Sequence, residues 1–304
     1  MKLRPLHSGD TIALVSPASP LPVERLEFVT KLLEAEGFAV RIMPHALDSD
    51  DYLAGSDQDR ARDLQNAFAE DGIAAVLCTR GGYGCARLFP YLDLDAIARS
   101  QKMFLGFSDV TTLHVALNRR GMPTIHAPMG LTLFYPREPW VIESFRRVLR
   151  NDLTPPEGAT KATTVVGGKA EGEVIGGCLC LLTDTIGTNE PLDATGRILL
   201  IEEVDQPPHR IDAMFTHLLN SGIAQSAAGF LIGEMTRTDT LVDQAIGGKP
   251  WETIVRERLE PLGKPMVINF PLGHMKNMLT LPLGIRARLD ADNGSLTYLD
   301  QLWD

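Results

Sequence analysis

The chain has 304 residues, 44% of them hydrophobic, with 29 basic and 39 acidic side chains and a formal net charge of −10. Single hydrophobic cores stop growing near about 250–300 residues, so this length predicts two domains. An acidic chain without a basic stripe argues against nucleic acid and anionic membrane as partners.

Residues 1–5 carry two positive charges, but Gly9-Asp10 breaks the stretch behind them and the next apolar run is short. No secretory signal and no apolar stretch of about 18 residues is read, so a cytoplasmic location is expected. Through residues 1–150, strand-like and helix-like segments then alternate: strand 11–16, helix 23–36 closed by Gly37, strand 39–43, helix 58–70, strand 74–79, strand 102–105, helix 110–120 and strand 124–127. Strands that are apolar throughout and alternate with helices predict an α/β domain with a parallel sheet covered on both faces. Ligands of such sheets bind at the carboxyl ends of the strands.

Residues 151–168, with Pro155-Pro156-Glu157-Gly158 and a polar continuation, read as a linker. The second domain, 169–304, opens on Gly176-Gly177 and an apolar segment. It continues with strand 198–202, helix 210–220, strand 229–233, helix 251–259, strand 265–268 and paired strands 285–289 and 295–299, the last two joined at Asp292-Asn293-Gly294. The four cysteines, Cys78, Cys85, Cys178 and Cys180, show no C-x-x-C and no metal-type spacing with histidine. Buried, reduced thiols and no metal or other cofactor are expected.

Four features fall where strands end. Ser108 comes after the apolar run 103–107 and precedes a helix, so its hydroxyl would lie beside free backbone N–H groups. This resembles a nucleophile elbow, although G-x-S-x-G is incomplete; the plainer alternative is that Ser108 or Asp109 caps the helix. Arg80-Gly81-Gly82-Tyr83-Gly84 has three glycines in four positions, suited either to oxyanion donation or to a tight turn. Glu202-Glu203 ends an apolar strand; adjacent acids ordinarily sit in water, yet the first would lie near buried surroundings and need a partner such as histidine. His274 comes directly after Gly273, beyond the strand at 265–268. His126, ending a strand, is its rival, whereas His114 on the helix after Ser108 is expected to face away from it. Nucleophile, base, orienting carboxylate and backbone donors are the parts of acyl transfer through a serine ester.

These motifs, in this order, resemble the LD-carboxypeptidases (muramoyltetrapeptide carboxypeptidases), a serine peptidase family that also includes the microcin C immunity peptidases. The resemblance runs from residues 9–17 through Arg80-Gly81-Gly82-Tyr83-Gly84, Gly106-Phe107-Ser108-Asp109, Gly176-Gly177 and Ile201-Glu202-Glu203-Val204 to Gly273-His274. It implies an N-terminal domain like that of class I glutamine amidotransferases and a smaller C-terminal β-rich swivelling domain. It makes Ser108 the nucleophile, Glu202 the orienting acid and His274 the base. Where the family has an aspartate after that glutamate, Glu203 stands here. Oxyanion donors would be the N–H of Asp109 and of Gly81, or else of Gly82, and Arg80 would bind the substrate carboxylate. The implied substrate is a murein tetrapeptide or disaccharide-tetrapeptide losing its terminal D-Ala, and the implied assembly a metal-free homodimer. The alternatives are hydrolysis of aminoacyl–nucleotide conjugates and a non-catalytic two-domain protein that binds a small ligand.

Overall fold

The computed structural model describes residues 1–303. The chain forms two compact units. The first holds Met1–Glu157, Leu279–Pro282 and the C-terminal tail from Gln301; the second holds Gly158–Met278 and Leu283–Asp300. After leaving the first unit the chain therefore returns to it twice.

In the first unit the order is β1 (Thr11–Val15), α1 (Val23–Ala35), β2 (Ala39–Ile42), α2 (Asp57–Ala69), β3 (Ile73–Cys78), α3 (Leu94–Arg99), β4 (Met103–Gly106), α4 (Thr111–Asn118), β5 (Thr124–His126), α5 (Gly130–Leu133) and α6 (Pro139–Leu149). β1 pairs in parallel with β2 and β3, β3 with β4, and β4 with β5. β1, β3 and β4 are buried almost throughout, as strands covered on both faces must be. α1 buries Leu26, Val29 and Leu33 at helical spacing, and Ser56 caps α2 by accepting the Asp59 N–H.

α6 is not among the expected elements. Its buried stripe is Trp140, Val141, Ser144, Phe145, Val148 and Leu149, a helical period, with Pro139 in the first turn and Arg146 and Arg147 in the last. The helix expected over 110–120 begins instead with a 3₁₀ turn, Ser108–Val110, and continues as α4.

The second unit runs β6 (Thr163–Val166), β7 (Lys169–Cys178), α7 (Leu179–Asp184), β8 (Ile198–Val204), α8 (Pro208–Asn220), α9 (Ile223–Ser226), β9 (Gly229–Thr236), α10 (Trp251–Leu259) and β10 (Met266–Ile268). After β11 (Leu281–Leu283) come β12 (Arg286–Asp290) and β13 (Ser295–Tyr298). Its seven strands lie in the order β13-β12-β7-β8-β9-β10-β6, whereas β11 occupies the edge of the first sheet beside β5. β7 to β10 run parallel; β6, β12 and β13 pair antiparallel with their neighbours. β6 corrects the expected linker: residues 163–166 pair with β10. Gly176 has φ +128°, and a Cβ there would lie 1.9 Å from the Leu200 carbonyl oxygen, so only glycine lets β7 approach β8 this closely. Among the described residues no helix is long and apolar enough to cross a membrane.

Candidate active site

Ser108 leaves β4 through Phe107, whose backbone is extended (φ −159°), and itself adopts φ 63°. A non-glycine residue in the left-handed region costs on the order of 1–3 kcal/mol, strain that clusters at functional turns. The capping alternative does not describe this turn. The residue flanking α4 is Val110, which offers no capping side chain, and the Asp109 carboxylate accepts the Cys85 N–H at 2.8 Å.

The Arg80–Gly84 loop lies directly against this turn. A Cβ on Gly81 would come 2.8 Å from the Ser108 Cβ, 3.0 Å from its Oγ and 3.3 Å from the Asp109 nitrogen. Gly82 is turned elsewhere: its φ is +111°, and a Cβ there would meet the Ser19 Oγ. Ser19 also ties the loop down, donating its N–H to the Gly81 carbonyl at 3.2 Å and accepting the Tyr83 N–H at 3.3 Å. Arg60, fully buried on α2, donates to the loop's Gly84 carbonyl and to the Pro17 carbonyl beyond β1, and is paired with Asp57. Arg60 escaped the motif reading, yet its position carries a signal: with Asp63 it shares the stripe that buries Leu64, Ala67 and Phe68, an odd place for two charges. Arg80 is partly buried and donates to the Pro20 carbonyl at 3.0 Å.

In the second unit β8 delivers two acids, and both are buried, Glu202 completely and Glu203 at 1% exposure. Burial of Glu202 agrees with the surroundings expected for the first acid, whereas the burial of Glu203 departs from the ordinary pattern of adjacent acids in water. β9 carries one extra residue opposite Glu202, since Ile201 pairs with Ile232 and Glu203 with Met235. Such a bulge adds local twist and re-aims side chains. Successive strand residues face opposite ways. Glu202 Oε2 meets His274 Nδ1 at 2.6 Å and the His274 N–H at 3.1 Å. Glu203 turns to the start of α7, accepting the Cys180 N–H at 2.6 Å.

Gly273, with φ +77°, brings His274 onto this carboxylate; a Cβ there would lie 2.3 Å from both Cγ and Oε2 of Glu202. Burial opposes charging of the imidazole, but the charge and hydrogen bond of Glu202 outweigh it. Glu203 and Asp205 add to the effect, so the His274 pKa is raised above its ordinary value. With Nδ1–H committed to the carboxylate, the neutral ring presents an Nε2 lone pair, the form a general base needs.

The other two histidines near the first sheet are both buried. His126 is fully buried at the end of β5, its ring edge-on to Phe107 at 5.6 Å. His114 is also fully buried and bonds the Gly106 carbonyl through Nε2 at 2.9 Å; burial pushes its pKa down to about 3. The structure thus unites Ser108, Asp109, Gly81 and Ser19 in the first unit, and Glu202, His274 and Glu203 in the second.

The first unit thus carries a strained serine turn and the second a carboxylate-held histidine, residue types that hydrolases use. Residues 12–127 match the LD-carboxypeptidase N-terminal domain and residues 171–289 the LD-carboxypeptidase C-terminal domain. The chain belongs to this peptidase family. A putative carboxypeptidase of Streptomyces coelicolor is 38% identical over 96% of this chain and 94% of its own length. The murein tetrapeptide carboxypeptidase of Pseudomonas aeruginosa is 33% identical, over 92% and 93%. The solved structure of the microcin C7 self-immunity protein MccF, in an inactive mutant apo state, superposes with a TM-score of 0.88 at 26% identity, over 100% of this chain and 99% of that one.

Proposed function

We propose that this protein is a serine exopeptidase that hydrolyses the L,D-peptide bond before the terminal D-Ala of murein tetrapeptides, with Ser108, Glu202 and His274 as its triad. The observation that supports the chemistry is the 2.6 Å contact in which buried Glu202 would accept from His274 Nδ1–H, leaving Nε2 as the proposed base. In the proposed reaction His274 Nε2 takes the Ser108 hydroxyl proton as Oγ attacks the carbonyl of the diamino acid. The backbone N–H groups of Asp109 and Gly81 hold the oxyanion, and His274 then protonates the leaving D-Ala amine. Water attacks the resulting ester by the same route. Gly81 is preferred to Gly82 because it is the glycine that abuts Ser108. Arg80 has further guanidinium donors beyond the one given to Pro20, and is the proposed partner of the substrate's terminal carboxylate.

The substrate class is supported by the named activity of the P. aeruginosa relative, which matches over nearly its whole length. The proposal includes a cytoplasmic setting, where wall fragments are recycled, a homodimeric assembly and no cofactor. Incubation with disaccharide-tetrapeptide and with free tetrapeptide, followed by mass spectrometry for released D-Ala, tests it; absence of release from both would overturn it.

A second reading is favoured by one feature. Tyr83, two residues beyond Gly81, and Tyr52 are both about half exposed, with ring centroids 5.9 Å apart. Exposed aromatic faces suit stacking on a base. Cleavage of an aminoacyl–nucleotide conjugate, with no D-Ala released from tetrapeptide, would select this microcin-immunity type of activity.

A further inference from the structure

Glu203 is a buried carboxylate with no lysine or arginine in ion-pairing range among the described residues. Burial, with the neighbouring Glu202 charge, raises its pKa. Buried carboxylates are normally paired or bound to a metal. What faces Glu203 is a pair of thiols: Cys178 Sγ lies 3.2 Å from Glu203 Oε1 and 3.6 Å from Cys180 Sγ. The three ligand atoms lie within 4.8 Å of one another.

We propose that Cys178, Cys180 and Glu203 form a binding site for one borderline-soft divalent cation of the Zn²⁺ type. The geometry fits such an ion. Zn–S bonds of about 2.3 Å at a tetrahedral angle place two sulfurs about 3.8 Å apart, close to the 3.6 Å found. Two thiolates and one carboxylate are a donor set that selects zinc over magnesium or calcium. The ligands sit on secondary structure rather than on a free loop. Cys178 ends β7 and pairs in register with Glu202 of β8, Cys180 lies in the first turn of α7, and Glu203 is the next residue of β8. Glu203 Oε1 also accepts the Val204 N–H at 2.8 Å and Oε2 the Cys180 N–H, so the carboxylate is oriented before any ion arrives. Cys180 is partly exposed, which gives the ion an entry path and leaves room for water as a fourth ligand.

On loading, two S–H bonds break, two metal–sulfur bonds form and two protons leave to solvent. One dication then replaces two protons, so the local charge is unchanged. None of these three residues is in the proposed triad, although Glu203 follows Glu202 in β8 and Cys178 pairs with it.

Cobalt(II) titration of the reduced full-length protein tests the proposal. The expected result is one equivalent bound per chain, with a thiolate-to-cobalt charge-transfer band and intense four-coordinate visible bands, both removed by Zn²⁺. C178S and C180S should each weaken binding at least about a hundredfold, the upper end of what disturbing even an outer partner of a metal site costs. Since a cysteine variant could fail to fold, E203Q supplies a separate reading: it keeps both thiols and should keep the sulfur band while weakening binding about tenfold or more. Absence of the band at millimolar cobalt, its survival in the double cysteine variant, or unchanged affinity in E203Q would each overturn the assignment.

Discussion

Replacing Gly273 with alanine should damage catalysis although no residue of the proposed triad is substituted. Gly273 has φ +77°, where an L side chain costs about 1–2 kcal/mol. The new Cβ would sit 2.3 Å from Glu202 Cγ and Oε2, whereas ordinary contact begins at 3.4 Å. The carboxylate and the histidine backbone must therefore separate by about 1 Å, and forcing a methyl into packed surroundings costs a further ~1–3 kcal/mol. The summed loss of about 2–5 kcal/mol corresponds to a fall in Tm of roughly 5–15 °C. The 2.6 Å bond to His274 Nδ1 would open beyond hydrogen-bonding range. A misplacement of about 1 Å can cost about a hundredfold in rate. The full loss of the orienting carboxylate would set the upper limit near ten-thousandfold. Gly263→Ala is the control. Its φ is +63° but nothing lies within 4 Å of the added Cβ, so it carries strain alone, about 1–2 kcal/mol, and should keep wild-type turnover. Calorimetry and D-Ala release on both variants make the comparison. Wild-type kcat in Gly273→Ala, with a stability loss no larger than in Gly263→Ala, would rule out the steric coupling of residue 273 to Glu202.

Ser108→Ala should fold normally and lose turnover by up to about a million-fold, as for a triad nucleophile; retention of more than about a tenth, a 1.4 kcal/mol effect, would remove Ser108 from that role. Glu202→Gln should cost roughly ten-thousandfold by analogy with a triad Asp→Asn change, and far more than Glu203→Gln, whose contacts are Cys178, Cys180 and Val204 rather than His274; the reverse order would sink the assignment. The acid limb of the kcat/KM profile should lie above 6.5, because the neutral imidazole accumulates only as pH passes its raised pKa, and in Glu202→Gln burial alone would move that limb down. Amidating the tetrapeptide's terminal carboxylate should cost about a hundredfold or more in kcat/KM, and Arg80→Ala should no longer distinguish acid from amide; equal rates on both in the wild type would exclude carboxylate recognition. Activity of the wild type should survive EDTA, since neither the proposed triad nor its oxyanion donors need a metal; a zinc-restorable loss that persists in the double variant Cys178→Ser/Cys180→Ser would overturn the serine mechanism.

The alternation of fully apolar strands with helices is enough to predict the parallel sheet of the first unit, because a strand covered on both faces must be apolar on both. Ser108, Glu202 and His274 are also visible in the sequence, each at or beyond the end of an apolar run where a polar group is unexpected. Other features require the tertiary structure. β11, at 281–283, joins the first sheet beside β5, at 124–126, a pairing no local pattern carries. The direction each acid of the 202–203 pair faces depends on strand register and on the bulge opposite Glu202, both properties of two strands together. Likewise C-x-C spacing alone carries no metal signal, because the third ligand atom comes from the neighbouring strand. Sequence dictates which side chains exist and how each segment repeats; which of them meet is decided by burial, since only packing removes the water that would otherwise keep Glu202 and His274 apart.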